Sequence, residues 1–141
     1  MENVFVSDVI DYVRLQDKMR STDKKVREHA INTLKNELIP SIKEKGDVYE
    51  KYFYMMHNDY LAGNETINFD MLFADNIEEL VEDLRSIDVR TFTISERLSP
   101  EDVLLFEQLG VNLSGIRRVK IFDSLFENKK EKPAFLMEIM Q

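Results

Sequence analysis

The residues that could do chemistry in this 141-residue chain are two histidines, a serine placed behind a strand-like run, and a dense set of carboxylates. His29 and His57 fall on different helical stretches, and neither HxxxH nor HExxH spacing occurs. A metal centre would therefore have to gather carboxylates from several elements. His57 precedes Asn58 and Asp59 near the end of an aromatic helix, where the helix dipole favours a cation. Capping or surface duty is the expectation there, rather than proton transfer. Ser95 follows the strand-like run 89–94, at the strand end where open α/β sheets bind ligands. A serine nucleophile needs a base, yet no histidine follows Ser95 and no G-x-S-x-G elbow surrounds it. The next helix start would attract an anion, but Glu101 and Asp102 already occupy its first turn, and Ser99 with Asp102 matches a capping box. Residues 95–102 read as a turn and a capped helix start. The chain has no cysteine, which removes thiol nucleophiles, thiolate metal sites and disulfides. No catalytic, cofactor-binding or metal-ligating residue is assigned.

Charge is more informative because it is uneven. The balance is −1 over residues 1–62, −9 over 63–110 and +2 over 111–141, which accounts for the net −8. A negative field argues against direct nucleic-acid binding, since phosphate contacts supply most non-specific affinity. It permits an acidic face offered to a basic partner, while the expected reading is the plainer one, a solvated helix face that keeps a small protein soluble. That face is Glu78, Glu79, Glu82 and Asp83, outward on a helix whose inner side is Ile77, Leu80, Val81 and Leu84 and whose cap is Asp75 or Asn76. Arg117, Arg118, Lys120, Lys129, Lys130 and Lys132 form a basic cluster, but the outward strand positions carry threonines and not the aromatics that stack on RNA bases.

The remaining candidate surface is aromatic. Val48, Tyr52, Phe53, Met56 and Tyr60 are expected to face inward on a helix from Asp47 to Gly63. Tyr49, Tyr54 and Met55 fall off that face, so the helix is either buried on two sides or offers a partner-binding surface rich in Tyr and Met. Phe126, in a later loop, is a further hydrophobic anchor candidate. Spare apolar surface leaves monomer and homodimer both open.

These groups must be positioned by a small set of elements. Val6, Val9, Ile10 and Val13 mark a first helix. Ser21-Thr22-Asp23 caps a second, with Val26, Ala30, Leu34 and Leu38 as its stripe. Pro40 predicts a kink or break near Leu38. Residues 64–68 form a polar connection. Strands are expected at 89–94, 116–122 and 134–140, with a helix between the first two. Phe92 and Ile94 share a face with Val119, Ile121, Phe135, Met137 and Ile139, while Thr91, Thr93 and Ser95 lie opposite. The first two strands are expected to run parallel, and the last two to pair antiparallel across a loop of about ten residues, bringing Lys120 to Glu138.

The segments VRTFTIS, FEQLGV, SGIRRVKIF and KKEKPAFLMEI resemble, over residues 76–140, a family of small functionally uncharacterised proteins of Gram-positive bacteria and their mobile elements. The resemblance rests on Gly110, Gly115 and Pro133-Ala134-Phe135. It implies accessory or regulatory work on mobile DNA, with no catalytic residue to carry over.

The expected architecture is a single α+β domain, a helical half over 1–63 and an α/β half over 64–141. Its three-stranded mixed sheet (β-α-β-β) is covered by helices mainly on one face. The expected function is non-catalytic and cytoplasmic, through a protein partner. The alternatives are an acidic nucleic-acid mimic that inhibits a DNA- or RNA-binding protein, and a small-molecule pocket or enzyme beside Ser95. No apolar run approaches the roughly 20 residues a membrane helix needs, and no signal peptide is legible.

Overall fold

The computed structural model describes residues 4–70, 76–123 and 128–140. Two compact units divide after His57, within a helix that spans Asp47–Ala62. The first unit contains α1 (Val4–Lys18), α2 (Lys24–Thr33), a π-turn (Leu34–Leu38), α3 (Ile39–Glu44) and the start of α4 (Asp47–Ala62). Asp23 caps α2, its Oδ1 accepting from the amides of Lys25 and Val26. Val9, Ala30, Leu34 and Ile42 are buried, together with Phe5, which the periodicity of α1 did not include, whereas Val26 is exposed. The irregularity expected near Leu38 takes the form of a π-turn and not of a chain break. There, Ile39 N–H bonds to Leu34 O, five residues back. This one-residue widening accommodates the ring and missing donor of Pro40, which a regular α-turn cannot take.

On α4 the buried stripe is Tyr49, Tyr52, Phe53 and Met56, at i, i+3, i+4 and i+7. Val48 and Tyr60, expected inside, are 37% and 38% exposed. Tyr49 takes the inner position instead, edge-on to Phe5 with ring centres 5.3 Å apart. Its hydroxyl donates to Asp8 Oδ2 at 2.6 Å, where Lys45 Nζ also binds at 2.6 Å.

The second unit begins with the last turn of α4, which closes in a Schellman ending. Gly63, at φ +98°, donates to Tyr60 O, and Asn64 N–H donates to Asp59 O. Then come β1 (Ile67–Phe69), α5 (Ile77–Ser86), β2 (Thr91–Ile94), α6 (Pro100–Gln108), β3 (Val111–Asp123) and β4 (Asn128–Ile139). The capping box of Ser99 and Asp102 forms at the start of α6. Asn76 holds the cap position of α5 without a side-chain bond, and Asp75 lies outside the described residues.

The sheet has four strands in the order β1-β2-β4-β3, not three. The added strand, β1, pairs parallel to β2. Three residues inside a polar connection are too short for an alternation to register. β3 and β4 are antiparallel as expected, but β4 also pairs with β2, so β2 and β3 share a direction without touching. The hairpin is longer than the predicted loop allowed, because the run Lys130-Glu131-Lys132-Pro133 is strand. Lys120 consequently pairs with Glu131, and Glu138 pairs with Thr91 and Asn112. Pro133 lies beyond the last β2–β4 pair, where its missing N–H breaks no bond to β2.

A bulge decides which face each residue takes. Leu113 pairs with Met137, and Gly115 with Leu136, leaving Ser114 unpaired. Before it, Val111 and Leu113 lie on the side of Phe92. After it, Ile116 keeps that side, and Val119 moves to the side of Thr93 and Ala134. The extra residue inverts the alternation, so Val119 is not a neighbour of Phe92 as expected. Thr93, Val119 and Ala134 are 0%, 4% and 3% exposed, so burial is not confined to one face.

The sheet also curls. The two outer strands meet through Asn64, just ahead of β1, whose side chain accepts from Lys120 N–H (2.8 Å) and donates to Lys120 O (2.9 Å) on β3. Arg117 on β3 pairs with Glu65 at 3.2 Å. A bulge raises local twist, and twist brings sheet edges together. Among the described residues, no helix is long and apolar enough to cross a membrane.

Candidate functional site

β1 and β2 run in parallel and end side by side, with Ser95 N–H bonded to Phe69 O. A chain of polar side chains lines this end. Ser95 Oγ donates to Asp70 Oδ1 at 2.8 Å and accepts from Asn68 Nδ2 at 3.0 Å. Asn68 Oδ1 accepts from Thr93 Oγ1 at 2.9 Å, which lies 3.3 Å from Thr66 Oγ1. Asp70 is also 3.6 Å from Lys132 Nζ. The Ser95 hydroxyl hydrogen therefore points at the Asp70 carboxylate, which also faces Lys132, and not at an imidazole. Both histidines belong to the other unit. The arrangement works as a tether between two strand ends.

Asp59 anchors a second cluster at the end of α4. Its Oδ1 accepts from Asn64 Nδ2 (3.0 Å) and its Oδ2 from Asn68 N–H (2.9 Å). Burial raises its pKa above the ordinary carboxylate value, and these two bonds oppose the shift. One carboxylate thus holds both the residue that closes the curl and the strand that starts the sheet.

Beside Ser95 the core-side face of the sheet emerges from under α6. Phe92 and Met137 are fully buried, Phe135 is half-buried and Ile116 is 69% exposed. Ile116 and Phe135, with Leu98 and Pro133, border a cleft of about 400 Å³, whose rim carries Ser95, Glu96 and Arg97. In the first unit a groove of about 460 Å³ runs beside the π-turn, with Asp11, Glu37, Arg14 and Lys18 on its walls. Its mixed charges select no ligand sign.

Of the predicted partner-binding residues, Glu78, Glu79 and Glu82 are exposed on α5 and Asp83 is half-buried. Tyr49, at 6% exposure, takes part in the packing of its own unit. Burial first, then the hydrogen bond to Asp8, pushes its phenol far above the usual tyrosine range, so it stays neutral. Tyr54 and Met55 are half-buried. Burial, then Tyr12 and Glu50, also raises the Tyr54 phenol. Phe126 lies outside the described residues. Among the described residues, no group of His, Asp and Glu could hold a metal ion.

His57 departs from the expectation of a helix-end cation. Its ring packs edge-on to Tyr12 at 4.8 Å, and Nε2 lies 2.9 Å from Gln16 Oε1. Burial lowers its pKa. A proton bound less tightly in the folded state makes this term fully stabilising above the ordinary value of about 6.5, with the contribution lost as pH falls through the folded value. Thermal melts should decline over that window, and His57→Gln should flatten the decline. An unchanged slope in the variant would show that the imidazole does not contribute.

A family model described as a domain of unknown function, DUF7698, matches residues 47–139, from the first residue of α4 to the last of β4. The chain belongs to the DUF7698 family. In this chain the matched region takes in α4, the four-stranded sheet and the helices α5 and α6, while α1 to α3 precede it. The DUF7698 match is wider than the resemblance over 76–140, because it takes in the aromatic helix and β1. Comparison with curated proteins and with solved structures finds no match. Within the DUF7698 region, sequence reasoning missed Asp59, Asn64 and Asn68. Their signal was an Asn/Asp spacing of four to five residues around Gly63, which reads as an ordinary polar loop.

Proposed function

We propose that this DUF7698 protein acts by binding a protein partner rather than by catalysis, and that the exposed carboxylates of α5 are its main contact. The observation that carries this reading is an imbalance of pairing. Elsewhere in the second unit, Arg117–Glu65, Arg118–Glu131, Lys132–Asp70 and Arg90–Asp88 are ion pairs. Among the described residues, Glu78, Glu79 and Glu82 have no such partner, and their spacing puts them on one side of a helix anchored by Ile77, Leu80, Val81 and Leu84. Unpaired like charges on a rigid element repel one another, and a basic partner would relieve that repulsion. The resemblance to small proteins of Gram-positive bacteria and their mobile elements supports a cytoplasmic, regulatory setting.

The test is a charge series on the full chain. Glu78→Gln, Glu79→Gln and Glu82→Gln combined should weaken partner capture, and the three Lys replacements should abolish it. Circular dichroism should remain that of the wild type, since losing favourable charge in the first turn costs about 0.3–1 kcal/mol per residue. Capture by the Lys variant at the wild-type level would refute the reading. A nucleic-acid-binding protein as the captured partner would specify the mimic alternative, with α5 presenting carboxylates where phosphates are expected.

A further inference from the structure

We propose that the cleft beside Ser95 binds a small amphipathic carboxylate, its apolar body lying on Ile116, Phe135, Leu98 and Pro133 and its head group on Arg97. This goes beyond the α5 reading and uses different residues. The sheet's core-side face is continuous from Met137 through Phe135 to Ile116, because Phe135 pairs with both Ile94 and Ile116 across the strands. Its covering helix, α6, packs Phe106 against Phe92 at 6.1 Å. The same face carries Ile116 at 69% exposure, an isoleucine on a regular strand pair and not at a loop tip. A strand position that is core by register and exposed by coverage is what an apolar ligand would complete.

Position agrees with this. The cleft sits beyond the carboxyl end of β2, over the neighbouring β4 and β3, at the strand end where α/β sheets leave room for ligands. Its volume of about 400 Å³ lies within the range of about 300–1,000 Å³ that small-molecule sites occupy.

The head-group chemistry follows from the rim. Ser95 is committed to Asp70 and Asn68. Glu96 also lines the cleft but already has an interaction within the fold. Arg97 is exposed and makes no ion pair among the described residues. A guanidinium offers a planar fork that matches a carboxylate in two parallel hydrogen bonds.

Decanoate below its micellar concentration is the probe, titrated into the full chain and followed by backbone amide NMR and calorimetry. Saturable binding with shifts confined to residues around Leu98, Ile116 and Phe135 is expected. Arg97→Ala should weaken it about tenfold, the loss of one charge-assisted contact. Ile116→Asp, at a position exposed enough to leave folding intact, should abolish it. The α5 Gln variant should bind decanoate as wild type does, so failure of this site and failure of the α5 reading are separable. No saturable binding overturns the proposal. So does binding of decyltrimethylammonium as tight as decanoate, which would place the head group on Glu96, and so does an unaltered affinity in Arg97→Ala.

Discussion

Replacing Asn64 by Ala is expected to destabilise the α/β unit by about 3 kcal/mol, more than any other single polar substitution in it. The side chain is 7% exposed and makes three bonds at once: to Asp59 Oδ1, to Lys120 O and from Lys120 N–H. Its removal leaves an edge-strand amide and carbonyl unpaired and takes a donor from a carboxylate already raised by burial. Each unsatisfied buried group costs about 1–3 kcal/mol, which is why the sum exceeds a typical surface change. Urea unfolding followed by circular dichroism measures it. Asn64→Asp is the sharper companion. It keeps the acceptor for Lys120 N–H but sets a second carboxylate against Asp59, where the wild type has a bond of 3.0 Å. Two such carboxylates raise one another's pKa, so this variant should be least stable near neutrality and recover as pH falls toward the ordinary carboxylate value of about 4. A deficit independent of pH would contradict the latch. Ala costing less than about 1 kcal/mol would mean the curl is held by packing alone.

Phe92→Ala should be the most damaging apolar substitution, by about 3–5 kcal/mol. Phe92 is 0% exposed at the centre of β2, edge-on to Phe69 at 5.7 Å and beside Phe106 at 6.1 Å, and it pairs with Met137. Domains of this size have about 5–15 kcal/mol of stability in total, so the loss should lower the melting temperature sharply or prevent folding. Leu104→Ala, at a residue on α6 that is 54% exposed, is the control and should stay within about 0.5–1 kcal/mol. Equal effects from the two would contradict the placement of Phe92 in the core and of Leu104 outside it.

The parts of this fold that were legible in the sequence are those where one local pattern decides the outcome. The capping box at Ser99 and Asp102, the anchoring side of α5 and the antiparallel pairing of the last two strands all follow from residues close together in the chain. What was not legible depends on count rather than type. Ser114 is an unremarkable serine, yet as an unpaired residue it inverts the alternation and moves Val119 to the other side of the sheet. β1 is three residues long and becomes a strand because β2 supplies its hydrogen bonds. Pro40 would break a regular α-turn, but widening the turn is a response that no local propensity announces. The acidic face of α5 could be read directly, because surface charge needs no partner to be seen. The Asp59–Asn64–Lys120 latch could not, since Asn64 and Lys120 are 56 residues apart and meet through a side chain and a backbone.

The most direct test of the binding account is capture of partners by the full chain across a salt series, with the wild type and the α5 Lys variant run side by side and the bound proteins identified by mass spectrometry. A contact made by exposed carboxylates is screened over about 10 Å at 0.1 M salt and about 3 Å at 1 M. The account predicts a partner that the wild type retains at low salt, releases at high salt, and that the variant never captures. A partner held equally by both chains at high salt would contradict it and would place the contact on an apolar surface instead.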